Sequence, residues 1–544
     1  MANMNHTNRK MNTLRPDKNT MLNHEGAVVH KLNKLEELFS RANGSYLGEN
    51  TYYEKENSAE REFNEIRDIV ASLSDADAEY ALKIAAIARE GNMVSTPLAI
   101  LTACYNDDKF KGANFADENG KSKMSGYTAQ IIRRGRDITD ILAFQLEGYG
   151  RDRAIPKQER KQLKRMLETF DSYQLSKALG KNRSVSLADA VKLIRPSKNT
   201  EFFKQVIEGK VKFGNGKAQV QTALAAKESK AEDVVASLKD SSLMAIVKNL
   251  VAMSRRDALT DEATAVICEK LTNAETVRRS RILPYQLYDA YKSISHLVGA
   301  NANAIKDALV EAIDLSVDNV SAIEGYTAFF VDLSGSMSAP VSGMSSTDAM
   351  EVAAVLAAIA AKKSNSRVYA FADNVQEVSV SKKSTVVDIV RHILHDTRVG
   401  GGTKLMSALK TVAESGEKFD NVVILSDNDC YTYNDKVLTL GGWYDSYGYA
   451  RHGVRKSCDD FTSELIANGT MKRFFVNNLT SRNFAIVNTD DYRKNLVTGF
   501  SERYIDEING TIAIAKNAGN IINLIDYLYD LYFGKGGKSK FAMR

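Results

Sequence analysis

Oxygen-bearing side chains follow a short apolar segment in the second half of the chain. Asp332 ends the aromatic and β-branched run 326–332, which is typical of a buried strand, and begins the pentapeptide Asp-Leu-Ser-Gly-Ser. A tight loop can turn its carboxylate and the Ser334 and Ser336 hydroxyls toward one point. Such hard oxygen donors suit Mg²⁺ or Mn²⁺ rather than zinc. Similar triplets also arise by chance in polar loops, so this segment needs support from elsewhere in the chain.

Two further segments supply that support. Thr403 follows glycines 400–402 at the start of a predicted helix, and Asp427 follows the buried strand predicted at 421–426. In a parallel sheet the carboxyl ends of the strands meet at one edge, where ligands bind. We therefore predict one divalent-cation site, for Mg²⁺ first and Mn²⁺ second, with at least one open coordination position. Its predicted ligands are Asp332, Ser334, Ser336, Thr403 and Asp427; the alternative is a polar loop with an unrelated aspartate nearby.

The sequence offers this site no catalytic partner. The nearest histidines are His392 and His395 on a predicted helix and His452 in a later segment. Without a third nitrogen or sulfur ligand, these histidines are better interpreted as surface or capping residues. We expect the metal to serve binding or structure, and we predict a protein that is not an enzyme. A metal-dependent hydrolase would need a base or nucleophile that the sequence does not supply.

Alternating strands and helices must position these residues, and they begin only after Gly325. Strands are predicted at 326–332, 367–372, 375–380, 421–426, 472–478 and 483–488, with helices at 349–362, 384–395 and 404–413. Because parallel neighbours need helical crossovers, this pattern predicts a doubly wound α/β domain. Before it, apolar positions at helical spacing run from Leu32 to Leu315, which favours stacked helix pairs.

The predicted architecture is therefore multidomain, an all-α helical-repeat part followed by an α/β doubly wound domain. We place a flexible tail at 1–25, the helical part at 26–320, the α/β domain at 321–510 and an extension at 511–544. The α/β domain contains an insertion at 430–454, whose tyrosines and tryptophan could pack on the domain surface or stack on unpaired bases. The extension contains a helix predicted at 521–533, suited to core packing or to a partner contact.

Composition excludes several classes of protein. The 544 residues are 44% hydrophobic, as in globular proteins, and no apolar run approaches the roughly 18 residues of a membrane span. We therefore expect no membrane association. Four cysteines (Cys104, Cys268, Cys430 and Cys458) are far apart, which argues against a zinc site and a disulfide framework. Residues 1–25 contain no apolar segment of a secretory signal, and we expect a cytoplasmic protein.

Charge is distributed unevenly along the chain. The net charge is +5, yet residues 321–544 are neutral, with 25 basic and 25 acidic side chains. Residues 121–220 carry 22 basic and 10 acidic side chains, a local excess of 12 positive charges. This segment suits a polyanion partner. The other interpretation is an ordinary solvated helical surface.

Several segments carry a resemblance to known proteins. The oxygen set at 332–336, 403 and 427 resembles the metal-ion-dependent adhesion site of von Willebrand factor A domains. Preceded by a long helical part, it resembles the Ro autoantigen family, whose TROVE module is a closed ring of HEAT-like helix pairs. Gly48–Tyr53, Leu243–Leu250, Arg281–Tyr285 and Leu193–Pro196 are similar to segments of that family in the same order.

The resemblance implies RNA binding. Ro-family proteins bind small noncoding Y RNAs on the outer face of the ring and accept single-stranded 3′ ends of RNA through its hole. It places RNA contacts near Lys177 and Lys181, which have the i, i+4 spacing of one helix face. Nearby cations complete the predicted set, which is Lys161, Lys164, Arg165, Lys177, Lys181, Arg183, Lys192, Arg195 and Lys198.

The sequence departs from the family pattern at one position, and it also suits a second function. The family has a histidine where this chain has Leu193, so one RNA contact is lost or moved. In the alternative function, the α/β domain recruits a protein partner through the metal, and the helical part is a scaffold. A ribonuclease or another protein offering an acidic side chain would suit the open metal position.

Overall fold

The structure is a computed structural model. It describes residues 18–22, 28–44, 59–179, 184–214, 219–226, 230–339, 347–428, 457–479, 484–499, 503–515 and 520–534. The predicted insertion 430–454 and the segment Gly48–Tyr53 lie outside these residues. Within them, a helical part precedes a sheet domain, and both predicted architectures are present.

The helical part consists of eighteen helices in the described residues. Its apolar side chains recur at helical spacing, and Phe63, Ile66, Val70 and Leu73 are all buried, as that spacing predicts. The helices are α1 (Lys34–Gly44), α2 (Ala59–Ser72), α3 (Ala78–Glu90), α4 (Ser95–Asn106), α5 (Met124–Ile131), α6 (Gly135–Gly148), α7 (Lys157–Thr169), α8 (Ser172–Ser176), α9 (Leu187–Ile194), α10 (Thr200–Ile207), α11 (Val220–Ala225), α12 (Ala231–Leu238), α13 (Leu243–Val247), α14 (Leu250–Ser254), α15 (Asp261–Thr272), α16 (Ala274–Ser280), α17 (Pro284–Ser293) and α18 (Ala300–Ser316).

The sheet domain follows at Thr327. Its six strands are β3 (Thr327–Asp332), β4 (Ser366–Phe371), β5 (Val375–Val378), β6 (Phe419–Ser426), β7 (Met471–Asn478) and β9 (Lys494–Thr498), in the order β5-β4-β3-β6-β7-β9. All neighbours are parallel except β4 and β5, which form an antiparallel pair. Five helices cover the two faces of this sheet, namely α19 (Ala349–Lys363), α20 (Val386–His395), α21 (Leu405–Glu414), α22 (Cys458–Ala467) and α23 (Arg503–Ile514). This is the doubly wound arrangement that the sequence predicts.

Two strand assignments differ from the prediction. The strand predicted at 483–488 is reduced to β8 (Phe484–Ala485), which pairs with β2 (Val28–Lys31) outside the main sheet. The last strand of the main sheet is instead β9, which begins with a lysine and was not predicted. Near the N-terminus, β1 (Thr20–Leu22) pairs with β2, so the tail predicted at 1–25 includes a strand.

Three large hydrophobic cores hold these elements, and a small fourth cluster joins Val29 on β2 to Phe484 on β8. One joins α1–α10 with a last helix, α24 (Ile521–Phe533), whose bounds match the helix predicted in the extension. A second joins α11–α18 with α19, α20, α23 and one face of the sheet, and a third fills the opposite face beneath α21 and α22. The extension helix is therefore part of the packing of the first helices in the chain, and it is not a separate tail.

The helical part contacts the sheet domain at both of its ends. At one end, Asp314 on α18 accepts hydrogen bonds from Lys362 Nζ at 2.9 Å and from the Val386 N–H at 2.9 Å. At the other end, α1 packs against β9, and α24 packs against both α3 and α23. The chain therefore closes on itself as a ring, with the sheet domain and α24 joining the two ends of the helical part. In the described residues, no helix has the length and apolar character needed to cross a bilayer.

Candidate metal centre and basic surface

The carboxyl end of β3 places Asp332 at the edge of the sheet in a fixed orientation. Its side chain is completely buried, and Oδ1 accepts a hydrogen bond from the Ser334 N–H at 2.9 Å. The Ser426 hydroxyl, at the end of the neighbouring strand β6, donates to Oδ2 at 2.6 Å. The Ser334 and Ser336 hydroxyl oxygens are 3.3 Å apart. One carboxylate and two hydroxyls of the predicted set therefore share one short loop.

Asp427 brings a second buried carboxyl group to the same place. Burial, followed by repulsion from the negative charge of Asp427, raises the pKa of Asp332 to about 7. Hydrogen bonds from Ser426 and Ser334 act in the opposite direction. Two carboxylates this close repel each other when ionised, and a divalent cation between them would offset that repulsion.

The glycine loop lies against the first loop. The Gly335 N–H donates to the Gly401 carbonyl at 3.3 Å, and the Lys404 N–H donates to the Ala372 carbonyl at 3.1 Å. Gly401 has φ +108°, and a Cβ there would lie 2.1 Å from Asp373 Oδ2, so only glycine fits. This packing keeps Thr403 buried at the same edge of the sheet.

The predicted donor set fits a hard cation in composition. Two carboxylates, Asp332 and Asp427, and three hydroxyls would hold Mg²⁺ or Mn²⁺ with oxygen alone. Among the described residues, no group of three or more His, Cys, Asp or Glu side chains is placed to hold a metal. The candidate site contains two such side chains, because its other donors are hydroxyls.

Sequence reasoning missed two polar residues at this edge. Ser426 orients Asp332, and Asn428 buries both polar atoms of its amide without a hydrogen-bond partner in the described chain. Asn428 also has φ +64°, a conformation that asparagine tolerates better than most residues. The signal available was the triplet Ser-Asp-Asn directly after a buried strand.

The basic residues predicted for RNA lie mainly on α7, on α9 and in the loop after α9. Lys161, Arg165, Lys192, Arg195 and Lys198 are exposed, and Lys164 is half-buried. Helix α7 contacts α9, and Glu168 on α7 contacts the loop after α9, so these six cations lie on neighbouring elements. We call them, together with Lys177, which follows α8, the basic patch. Lys181 and Arg183 lie outside the described residues.

Glu168 fixes the loop of the basic patch. Its Oε1 accepts hydrogen bonds from the Ser197 N–H at 2.6 Å, the Ser197 hydroxyl at 2.9 Å and the Lys198 N–H at 3.2 Å. These bonds, led by that from the Ser197 N–H, lower the pKa of Glu168. The loop with Arg195 and Lys198 is therefore held against the end of α7.

Two members of the basic patch make contacts with other side chains or backbone groups of the protein. Arg165 Nη2 donates to the Ser125 carbonyl at 2.6 Å, and Lys177 Nζ lies 4.2 Å from the centre of the Tyr173 ring. The helix predicted to present Lys177 with Lys181 ends at Ser176, and Lys177 caps it. The helix predicted to carry both lysines therefore ends before Lys177, and Lys181 lies outside the described residues. Leu193, which stands where the family has histidine, is 38% exposed beside Lys192.

Comparison with known proteins follows the same two-part division. Residues 223–377 match the family described as the TROVE domain, and residues 327–439 match the family described as the Ro60 vWA domain. Both matches are to domains of Ro-family proteins, and together they span residues 223–439. The resemblance seen in the sequence is thereby confirmed, and the matches support an RNA-binding, Ro-like protein.

A solved structure agrees with this fold. The chain is similar to the crystal structure of the Deinococcus radiodurans RO (RSR) protein, at 18% sequence identity and a TM-score of 0.54. The likeness covers 88% of this chain and 100% of the other. At this level of identity it is evidence for the fold alone. No curated protein matches the sequence.

Proposed function

We propose that this Ro-like protein binds small structured noncoding RNA similar to Y RNA, together with single-stranded RNA 3′ ends. It would act as a scaffold or in RNA quality control, without catalysing a reaction. The observation that carries the proposal is the basic patch, where exposed cations stand on α7, on α9 and in the loop that Glu168 holds against α7. RNA carries a regular array of phosphates, and such an array is what several cations on one face bind best.

The geometry of the patch supports contacts to the RNA backbone. Lys161, Lys192 and Lys198 are exposed, and their ammonium groups make no ion pair with any described residue. Ammonium groups on flexible stems bind phosphates as point charges and read little base sequence. We therefore expect an affinity that depends strongly on salt and weakly on RNA sequence, with RNA shape selecting the ligand.

The experiment is a binding titration with a hairpin RNA that carries a free 3′ tail. Tight binding at low salt that weakens steeply as salt rises supports the proposal. Sequencing of the RNA that co-purifies with the protein identifies the natural ligand. A discrete small stem-loop species supports RNA scaffolding, whereas absence of hairpin binding at low salt refutes it.

The metal centre would hold Mg²⁺, with Mn²⁺ as the alternative, through Asp332, Ser334, Ser336, Thr403 and Asp427. The supporting observation is the pair of buried carboxyl groups beside two hydroxyls on the β3 loop. When bound, the cation would offset the repulsion between Asp332 and Asp427 and offer an open coordination position. This chain's own residues would orient the donors, chiefly through the bond from Ser426 to Asp332.

A second candidate function rests on that open position. A ribonuclease or another protein could place an acidic side chain on the metal, which would make the sheet domain a protein-interaction module. Under this alternative, Asp332→Ala and EDTA each abolish capture of the protein partner, and RNA is not needed. We place both functions in the cytoplasm, the compartment that the four widely spaced cysteines favour.

A further inference from the structure

A cavity of about 580 Å³ lies where the helical part meets the sheet domain and α24. One wall comes from the turn between α16 and α17, and the opposite wall comes from α23 and α24. The volume lies in the range of pockets that hold a small organic ligand, roughly 300–1,000 Å³. The cavity is separate from both the basic patch and the candidate metal centre.

Three arginines within four positions line the first wall. Arg278, Arg279 and Arg281 are all exposed. Arg279 is paired with Glu275 at 2.6 Å, whereas Arg278 makes no ion pair with the described residues. Arg281 ends α16 with φ +52°, a conformation that arginine seldom adopts. Guanidinium groups are the side chains best suited to bidentate binding of phosphate oxygens.

The acidic group on the opposite wall is already neutralised. Asp506 lies 3.1 Å from Arg503 Nη1 and accepts a hydrogen bond from the Tyr532 hydroxyl at 3.0 Å. The Arg503 guanidinium also stacks over the Tyr532 ring at 5.2 Å. The charge that faces a ligand is therefore set by the arginines of the first wall.

Apolar side chains complete the lining. Leu283 and Val320 belong to the end of the helical part, and Leu531 belongs to α24. A cavity with guanidinium groups on one wall and aliphatic groups beside them matches a ligand that has a phosphate and a flat apolar base. An inorganic anion would make no contact with the aliphatic side chains, and an apolar ligand would leave the arginines without an anionic partner.

We propose that this cavity binds a nucleoside phosphate, with the phosphate at Arg278 and Arg281 and the base against the aliphatic side chains, chiefly Leu531. The nucleoside phosphate could be a free nucleotide or the terminal nucleotide of an RNA strand. Binding of an RNA terminus rests on the proposed function, whereas binding of a free nucleotide does not. Because α24 lines the cavity, the C-terminal extension supplies part of the binding site.

The test uses calorimetric titration of the full-length protein with AMP, with adenosine and with a 5′-phosphorylated pentanucleotide. We expect AMP to bind and adenosine to bind at least about tenfold more weakly, because it lacks the charge-assisted bonds to arginine. A pentanucleotide that binds more tightly than AMP identifies an RNA end as the source. A pentanucleotide that binds no more tightly identifies a free nucleotide.

Variants separate this site from the basic patch. Arg278→Glu should weaken AMP binding by about tenfold or more, and so should Arg281→Gly, which preserves the left-handed backbone. Arg255→Glu is the matched control, since Arg255 is also exposed at a helix C-terminus and does not line the cavity. The proposal is overturned if neither AMP nor the pentanucleotide binds, if adenosine binds as tightly as AMP, or if both arginine variants bind normally.

Hairpin RNA binding is measured with the same protein samples. A protein that binds the hairpin through the basic patch but binds neither AMP nor the pentanucleotide overturns the cavity proposal and leaves the proposed function intact. A protein that binds AMP in an Arg278-dependent way but does not bind the hairpin supports the cavity proposal and refutes the proposed function.

Discussion

Glu168 at the end of α7 and Ser197 in the loop after α9 are joined by two hydrogen bonds, of 2.6 and 2.9 Å, to a single carboxylate oxygen. The residues are 29 positions apart, so this contact sets the distance between the two cationic segments of the basic patch. An acidic side chain in a basic surface normally weakens binding of a polyanion. Here the Glu168 carboxylate accepts hydrogen bonds from Ser197 and Lys198 of the protein itself. The surrounding cations therefore remain available to bind phosphates.

Loss of this contact should reduce RNA affinity without unfolding the protein. In Glu168→Ala, the Ser197 and Lys198 N–H groups lose their acceptor and the loop is no longer held against α7. We expect hairpin RNA to bind several-fold more weakly, although the substitution removes a negative charge. A titration of Glu168→Ala beside the exposed control Glu201→Ala checks this. Tighter binding by Glu168→Ala would mean that charge, and not loop position, governs the patch.

Metal binding should stabilise the protein through Asp332 and Asp427. We expect millimolar Mg²⁺ to raise the melting temperature of the wild type, because ligands that bind only the folded state stabilise it. Asp332→Asn should remove that response. It should also melt above the metal-free wild type, since the repulsion between two buried carboxylates is gone. Asp396→Asn, an exposed carboxylate on the same domain, is the control, and an identical Mg²⁺ response in both variants would refute the site.

Glu159 should make stability depend on pH. Its carboxyl is buried on α7, neither oxygen has a hydrogen-bond partner within the described residues, and burial raises its pKa to about 8. The folded state therefore binds this proton more tightly than the unfolded state. Its stabilising effect is complete below about pH 4.5 and is lost as the pH rises through 8.

Between pH 6 and pH 9, the expected loss in the free energy of unfolding is of the order of 3 kcal/mol. Glu159→Gln should remove it, so that the variant is more stable than the wild type at pH 9. Denaturant unfolding at pH 6 and pH 9 measures the difference, with the exposed Glu147→Gln on α6 as control. Parallel pH dependence in both variants would show that Glu159 is not the group responsible.

The extension helix should contribute to closure of the ring. Asp526 on α24 lies 2.5 Å from Lys83 Nζ and accepts a hydrogen bond from the Tyr80 hydroxyl at 3.2 Å. Because the carboxylate is partly exposed, Asp526→Ala should cost only about 0.5–1 kcal/mol of the free energy of unfolding. Asp530→Ala, on the exposed side of the same helix, should cost less. Equal losses of stability in the two variants would show that the contacts of Asp526 with α3 do not stabilise the protein.

The sequence predicted the elements whose signal is local. The run 326–332 is typical of a buried strand because the residues before Asp332 are aromatic, β-branched or alanine, and β3 is buried along its whole length. The helix at 521–533 was predicted with its observed bounds, since its aliphatic and aromatic residues recur at helical spacing. Asp332 and Asp427 were proposed as ligands of the candidate metal centre because each follows such a strand.

Elements that depend on distant partners were missed. Strand β9 begins with Lys494, which is buried because its ammonium group is bound by Asp459 at 2.6 Å and by the Ser463 hydroxyl at 3.1 Å. Those partners lie more than 30 positions earlier in the chain, so the local pattern cannot show that a buried lysine begins the last strand of the sheet. For the same reason, sequence reasoning did not find Glu168 as the residue that holds the patch together.

The central claim is tested most directly by charge reversal in the basic patch. The variant carries Lys161→Glu, Lys192→Glu and Lys198→Glu, and the control carries Lys239→Glu, Lys382→Glu and Lys383→Glu, three exposed lysines elsewhere. Both proteins are titrated with the tailed hairpin RNA at several salt concentrations. The account predicts at least about tenfold weaker binding by the patch variant only, and a salt dependence shallower by roughly three phosphate contacts. Equal affinity and equal salt dependence of the two proteins would contradict it.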